Sequence, residues 1–274
     1  MRISNTITYD GSRQILIAGN CILENKAIAF KTVEFLKKLA EKLDVDFIFK
    51  ASYKKDNRSS EKYFSGLPLP DALKIFSEIK QTFNVPIISD VHYPTELAEG
   101  VADVFDVLQV PAYLAMQTEL VLSLAKTGKP VNIKKAQFLH PQDMEKVCKK
   151  IESVGNRSII LTERGTCFGY RDLVVDTRSF QIMKSLGYPV IFDAGHSIRK
   201  YGIPSSDPAG GTKQFLPTLM SACAATNIDG LFIEVHPDPK NALCDAASQL
   251  NFDDATRLIS RYFKIAKFVK QLDD

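Results

Sequence analysis

The sequence predicts one (β/α)8 barrel over residues 1–274, with a short N-terminal extension ahead of the first strand. Three observations carry that prediction. Eight short apolar runs alternate with eight longer amphipathic stretches. The runs are near-continuous in Val, Ile, Leu and Phe, as parallel strands covered on both faces require. No linker, repeat or low-complexity stretch divides the chain, and its length suits an α/β barrel. A doubly wound open sheet is the alternative. It usually carries a GxGxxG turn after the first strand, and "GNCILEN" is not one.

Taken in order, the strands are expected at 14–20, 45–52, 85–91, 106–112, 130–136, 158–164, 189–195 and 229–235. Between them, 26–43 places Ala29, Val33, Leu36, Ala40 and Leu43 on one helical face. Helices are likewise expected over 70–83, 94–105, 118–128, 140–155, 177–187, 211–227 and 253–272. Several begin with Pro, Asp or Thr and end near Gly or Asn, as helix starts and stops do. The Gly/Pro/Ser segment 201–211 after the seventh strand is a candidate lid.

The net charge of +3 argues against a dedicated nucleic-acid binder, which carries a strong basic stripe, but leaves room for a basic pocket. Cys21, Cys148, Cys167, Cys223 and Cys244 are odd in number and form no CxxC pair, so free thiols in a reducing cytoplasm are expected. The polar start "MRISNTITYDGSRQ" lacks the apolar core of a secretory signal. No apolar run approaches the roughly 18 residues of a membrane span.

Barrel enzymes place their chemistry at the C-terminal ends of the strands. Here every strand ends on polar residues. They are Asn20 and Cys21; Lys50, then Lys55, Asn57, Arg58 and Ser59; Asp90 and His92; Gln109; Asn132, Lys134 and Lys135; Glu163 and Arg164; Asp193 and His196; and Glu234 and His236, followed by Asp245. Any one is more often a helix cap or a solvated residue. Eight together, with lysines inside apolar runs, indicate a functional mouth, because Lys and Arg are rarely buried without a partner.

Two subsets stand out. Lys50, Lys55, Lys134 and Arg164, with Arg58, form a cationic group suited to phosphate and carboxylate. The plainer alternative pairs each cation with an acid such as Asp90 or Glu163. Cys21, His196, Glu234 and Asp245 offer thiolate, imidazole and carboxylate, which suit a divalent metal such as Zn, Fe, Mn or Co. Taken singly, Cys21 reads as a packed thiol and His196 as a hydrogen-bonded strand-end residue.

The motif "FKASYKKDNRSS" resembles that of the 3-deoxy-D-manno-octulosonate 8-phosphate synthases, and "NRSS" separates them from the related heptulosonate-phosphate synthases. "SDVHYP", "LQVPAYL", "QTELV", "AKTGKPVNIKKAQF", "LTERGTCFGYRDLVVD", "FDAGHS", "LFIEVHPDP" and "ALCDAASQL" follow in the family's order, so the resemblance spans about residues 14–250. It implies condensation of phosphoenolpyruvate with arabinose 5-phosphate and water, for lipopolysaccharide sugar biosynthesis, in a homotetramer. It implies that Lys50, Lys55, Lys134 and Arg164 hold phosphoenolpyruvate with Gln109 and His92 nearby. Asn57, Arg58 and Ser59 would hold the aldose phosphate. It also implies that Cys21, His196, Glu234 and Asp245 hold a divalent metal, Cys21 standing where metal-independent members have Asn. Lys55, His92, His196 and Asp245 are the residues it puts at the chemistry.

Departures from the pattern bear on the acceptor. Met116 and Ser65 stand where the family has Arg, Lys54 and Asp56 flank Lys55, and Arg199 stands where Gln is common. Lys54 and Arg199 are the candidates to restore charge. Asn20 stands where metal-dependent members have Pro, and is expected to hydrogen-bond the local backbone. A diverged synthase using another aldose, or a non-catalytic anion-binding barrel, are the competing readings.

Overall fold

A computed structural model describes residues 1–56, 61–167, 172–204 and 207–273. Eight parallel strands close into a barrel in sequence order. They are β1 (Ile15–Ile22), β2 (Asp46–Ser52), β3 (Ile87–Asp90), β4 (Val107–Val110), β5 (Val131–Lys134), β6 (Ile159–Glu163), β7 (Val190–Asp193) and β8 (Gly230–Glu234). Each lies inside its expected segment, apart from β1, which runs two residues further. The helices are α1 (Lys26–Leu43), α2 (Leu69–Phe83), α3 (Val101–Val104), α4 (Thr118–Lys126), α5 (Met144–Glu152), α6 (Arg178–Lys184), α7 (Ala194–Ser197), α8 (Leu216–Ala224) and α9 (Phe252–Asp273).

Local chemistry sets several boundaries. The Asn25 side chain accepts from the Ile28 N–H and caps α1, and Asp44, at φ 56°, ends it in the left-handed region. Two helix expectations are corrected. Residues 94–105 do not form one helix: Pro94–Glu99 is 3-10, and α3 follows only after Gly100, at φ 92°. Of 211–227, only Leu216–Ala224 is α-helical, preceded by a 3-10 turn at Lys213–Phe215.

The strands have a period of two, and it sorts the barrel interior into layers. Ile15, Ile17, Ile48, Ile88, Val107, Ile160, Ile191 and Phe232 form an apolar lower layer. Ile3 and Ile7, from an N-terminal turn held by an Arg2–Thr8 bridge, pack against it and plug the barrel floor. The intervening residues, Leu16, Phe47, Phe49, Leu108, Leu161 and Leu231 among them, face the helices. Two residues beyond the apolar layer, Ile48 gives way to Lys50, Ile88 to Asp90, Val107 to Gln109, Ile191 to Asp193 and Phe232 to Glu234. The alternation that builds the core therefore delivers the charged groups to the mouth.

One strand departs from regular pairing. β1 pairs Gly19 with Lys50 but Ile22 with Ser52, so one extra residue bulges just where Cys21 is presented. A Cβ on Gly19 would lie 2.0 Å from the Lys50 carbonyl oxygen and 2.7 Å from the Phe49 ring. Gly19→Ala is expected to cost about 1–3 kcal/mol from overpacking. A thermal melt checks this, and an unchanged Tm would show that the bulge tolerates a methyl group.

Candidate active site

The cleft at the C-terminal mouth is lined by Lys50, Lys55, Asp90, Lys134, Arg164, His196, Glu234 and Asp245. Seven of the eight are anion- or metal-binding candidates of the sequence, and Asp90 is the polar end of β3. Asn57, Arg58 and Ser59 lie outside the described residues. Gln109 and His92 are buried beside the cleft rather than lining it.

Lys50, Lys55 and Lys134 each pair with an acid, as the plainer alternative expects, though with Glu234, Asp245 and Asp193 rather than Asp90. Lys50 Nζ lies 2.7 Å from Glu234 Oε1, Lys134 Nζ lies 2.5 Å from Asp193 Oδ2, and Lys55 Nζ contacts Asp245 Oδ2. Lys135 pairs with Glu163 at 3.5 Å and donates to backbone carbonyls of the following loop, which makes it structural. Asp90 instead accepts from Ser52 Oγ (2.7 Å) and from Gln109. Gln109 Oε1 in turn accepts from Asn132 Nδ2 (2.8 Å), and Asn132 Oδ1 from Thr162 Oγ1 (2.7 Å). A polar chain thus runs across five strands beneath the cleft. It fixes Asp90, and Gln109 serves it rather than facing the cleft.

Arg164 differs from the lysines. It is buried, its Nη1 donates to Tyr201 Oη (3.0 Å) and Gln137 Oε1 (3.4 Å), and its Nε has no partner among the described residues. Among the described residues no carboxylate pairs with it. Glu163 Oε1 accepts from the Arg164 and Gly165 N–H groups (2.9 and 2.6 Å), which fixes the turn that presents Arg164. A buried guanidinium with neutral partners and a free N–H has the chemistry to receive an anion.

Charge states follow from these contacts. Burial opposes the Lys50 and Lys55 charges, but Glu234 and Asp245 respectively override it and hold both pKa values above the ordinary lysine range. At Lys134 burial wins over Asp193 and lowers the pKa. The Lys134 ammonium sits 3.5 Å above the Phe232 ring centroid, a cation–π contact that lets an aromatic floor the site. Burial lowers His196 despite Asp193, whose Oδ2 is 2.9 Å from its Nδ1. A neutral imidazole with one nitrogen held by a carboxylate leaves the other free to ligate.

Burial opposes the Asp90 charge, but Lys50, Lys134 and His92 outweigh it and hold the carboxyl well below the usual range. A carboxylate depressed in the folded state stabilises it above the unfolded pKa of about 4, and that contribution is lost as pH falls. Wild-type Tm is therefore expected to fall more steeply than that of Asp90→Asn between about pH 5 and 3. Parallel slopes in melts across that range would remove Asp90 from acid unfolding.

The donor atoms of His196, Glu234 and Asp245 lie within 4.8 Å of one another, and so do those of Cys21, Cys244 and Asp245. Asp245 belongs to both groups. Among the described residues Glu234 Oε2 is a buried oxygen without a hydrogen-bond partner, which suits a ligand oxygen. The residues fit a divalent metal. Lys55 Nζ lies among these donors, 2.8 Å from Cys21 Sγ and touching Asp245. A second thiol, Cys244, joins the donor set, and in the sequence only its place next to Asp245 signals it.

Asn20 corrects its expectation. Its Nδ2 donates to Val235 O (3.0 Å) and Thr32 Oγ1 (3.1 Å), so it ties β1 to the end of β8 and to α1 rather than to local backbone. The loop carrying Asp245 is also anchored. Glu24 Oε1 accepts from the Leu243 N–H (2.9 Å), and His236 Nδ1 from the Asp238 N–H (3.0 Å). On the acceptor side, Met116 and Ser65 do not line the cleft, whereas Arg199 and Lys200 do. Lys54 is turned away, pairing with Glu96 at 3.4 Å over the Tyr93 ring. The segment 201–211 is pinned at its base by an Arg199–Gly211 bridge and a Lys200 N–H bond to Gly210 O (2.9 Å).

No helix is long and apolar enough to cross a membrane among the described residues. The model of the DAHP synthetase I family matches residues 2–270. A protein of Geobacter sp. (strain M21) named 2-dehydro-3-deoxyphosphooctonate aldolase is 45% identical over 266 residues, 97% of each chain. Proteins of the same name from Geotalea uraniireducens and Pseudomonas putida are 46% and 44% identical. They cover 93% and 100% of this chain, and 93% and 94% of their own lengths. The cleft geometry, the family match and these near-full-length relatives agree, and the chain belongs to the DAHP synthetase I family, among the proteins named 2-dehydro-3-deoxyphosphooctonate aldolase.

Proposed function

We propose that this protein condenses phosphoenolpyruvate with arabinose 5-phosphate and water, giving 3-deoxy-D-manno-octulosonate 8-phosphate and phosphate. The observation that carries this reading is Arg164, a buried cation whose partners among the described residues are neutral, at the mouth of a barrel where Lys50, Lys55 and Lys134 line the same cleft. C3 of phosphoenolpyruvate attacks the aldehyde carbon, water adds at C2, and the bond from C2 to the phosphate oxygen breaks as the tetrahedral adduct collapses. Arg164 and Lys134 hold the anionic groups of phosphoenolpyruvate, and the fixed cations stabilise charge developing on oxygen. Phe232, Asp193 and Glu234 keep Lys134 and Lys50 in place before substrate arrives.

Cys21, His196, Glu234 and Asp245 would hold a divalent metal. Such an ion supplies Lewis-acid polarisation of a bound oxygen. His196 is oriented for that role by Asp193. Zn, Fe, Mn and Co all suit the donor set. The cytoplasm and a homotetramer complete the reading. Exposed Tyr113, Met116, Phe138 and Val174, on the loops after β4, β5 and β6, support association, which light scattering would measure.

The test is phosphate release from phosphoenolpyruvate with a panel of aldoses and aldose phosphates. Turnover with arabinose 5-phosphate supports the reading. Turnover only with another sugar would establish a diverged synthase, and none at all with metal supplied would leave an anion-binding barrel. Arg199 and Lys200 line the cleft where Met116 and Ser65 do not, so they are assigned the acceptor phosphate. Losing one charge-assisted contact costs about 1.5–3 kcal/mol, roughly tenfold to a hundredfold. Arg199→Ala is expected to raise KM for the sugar phosphate by that factor and leave KM for phosphoenolpyruvate nearly unchanged. Equal effects on both substrates would withdraw the assignment.

A further inference from the structure

We infer that Cys21 and Cys244 form a reversible disulfide that closes the metal site to its ion, which makes this thiol pair an oxidation site within the cleft. Their Sγ atoms are 2.8 Å apart, against about 2.05 Å for a covalent bond. The approach is built in by the backbone. The Gln249 side chain accepts from the Cys21 N–H at 3.2 Å and donates to Cys244 O at 2.7 Å, clamping the two segments together. Cys244 lines the cleft, while Cys21 is buried and contacts Cys244, Lys55 and Asp245. An oxidant entering the cleft therefore meets Cys244 first and finds the second thiol already in place. Cys148 and Cys223 are buried elsewhere in the core, and Cys167 is exposed.

The co-reactant is a peroxide. The Cys244 sulfur attacks one peroxide oxygen and expels hydroxide, giving a sulfenic acid. The Cys21 sulfur then attacks that sulfur and expels the second oxygen as water. Two thiols and one hydrogen peroxide become one disulfide and two waters, and the two electrons reduce the peroxide. A disulfide sulfur is no longer a thiolate donor. Asp245, common to both donor groups, is left with His196 and Glu234 alone. The consequence for the ion rests on the metal reading above, whereas the cross-link does not.

The experiment uses the full chain carrying Cys167→Ser, loaded with zinc and also metal-free, treated with hydrogen peroxide. Non-reducing peptide mass spectrometry is expected to show Cys21 linked to Cys244 in both forms, faster in the metal-free one. Zinc release, read with a colorimetric chelator, is expected to rise in step with the cross-link. Reductant with added zinc is expected to restore at least nine-tenths of the initial activity. Cys244→Ser and Cys244→Ala, each normalised to its own reduced state, are expected to release zinc at least tenfold more slowly under peroxide. Separate sulfinic acids without a cross-link would overturn the proposal, as would a cross-link that leaves zinc bound. A reduced protein that binds no zinc at all but still cross-links would instead sink the metal reading.

Discussion

Arg164→Ala is expected to lower kcat/KM for phosphoenolpyruvate by roughly a hundredfold to ten-thousandfold, from two lost charge-assisted contacts at about 1.5–3 kcal/mol each. The argument rests on what Arg164 lacks. Lys50, Lys55 and Lys134 each face a carboxylate, so removing one of them leaves an unpaired buried charge and mixes stability with catalysis. Among the described residues the Arg164 side chain donates to Tyr201 and Gln137 and to no carboxylate, so its loss strands none of them. The variant is therefore expected to fold with a Tm close to wild type while losing turnover. Arg164→Lys keeps the charge but not the planar fork, and is expected to recover only part of the loss. The measurement is initial-rate phosphate release at varied phosphoenolpyruvate, beside a melt of each variant. A loss smaller than tenfold would move the phosphoenolpyruvate site away from Arg164.

Metal removal is expected to have the second large effect. Chelated, metal-analysed protein should lose at least a hundredfold in activity and recover it with Mn, Co or Zn. The fold is expected to survive chelation. Lys50 pairs with Glu234, and Lys55 contacts Asp245 and Cys21, so the donor charges have cationic partners within the chain. Rebinding at about a hundred times Kd adds about 2.7 kcal/mol to stability, which a melt reads independently of turnover. Asp245→Asn should abolish metal uptake, because Asp245 is common to both donor groups. Cys21→Asn separates the thiol from the rest. Activity in that variant without metal would show that Cys21 itself sets the requirement, and full activity of chelated wild type would remove the metal from the mechanism.

Both predictions turn on residues that were legible early, whereas their partners were not. The barrel itself was readable because parallel strands buried on both faces leave uninterrupted apolar runs, and all eight runs became strands. Lys50, Lys134, Arg164, Asp193 and Glu234 stood out because charge at the end of an apolar run needs a reason. The broken helix at 94–105 was harder, since its apolar spacing is helical and only Gly100 interrupts it.

By itself, then, the sequence determined the barrel, the face that carries the chemistry and the residue types gathered there. Those follow from local periodicity and from the cost of burying charge. Only the tertiary structure decided which cation meets which acid and that Gln109 supports Asp90 instead of facing the cleft. It alone showed that Asn20 reaches Val235 and that Cys244 lies against Cys21. Those last two contacts join residues more than two hundred positions apart. Closing β1 against β8 is what brings them together, and no local pattern encodes where that seam places a side chain.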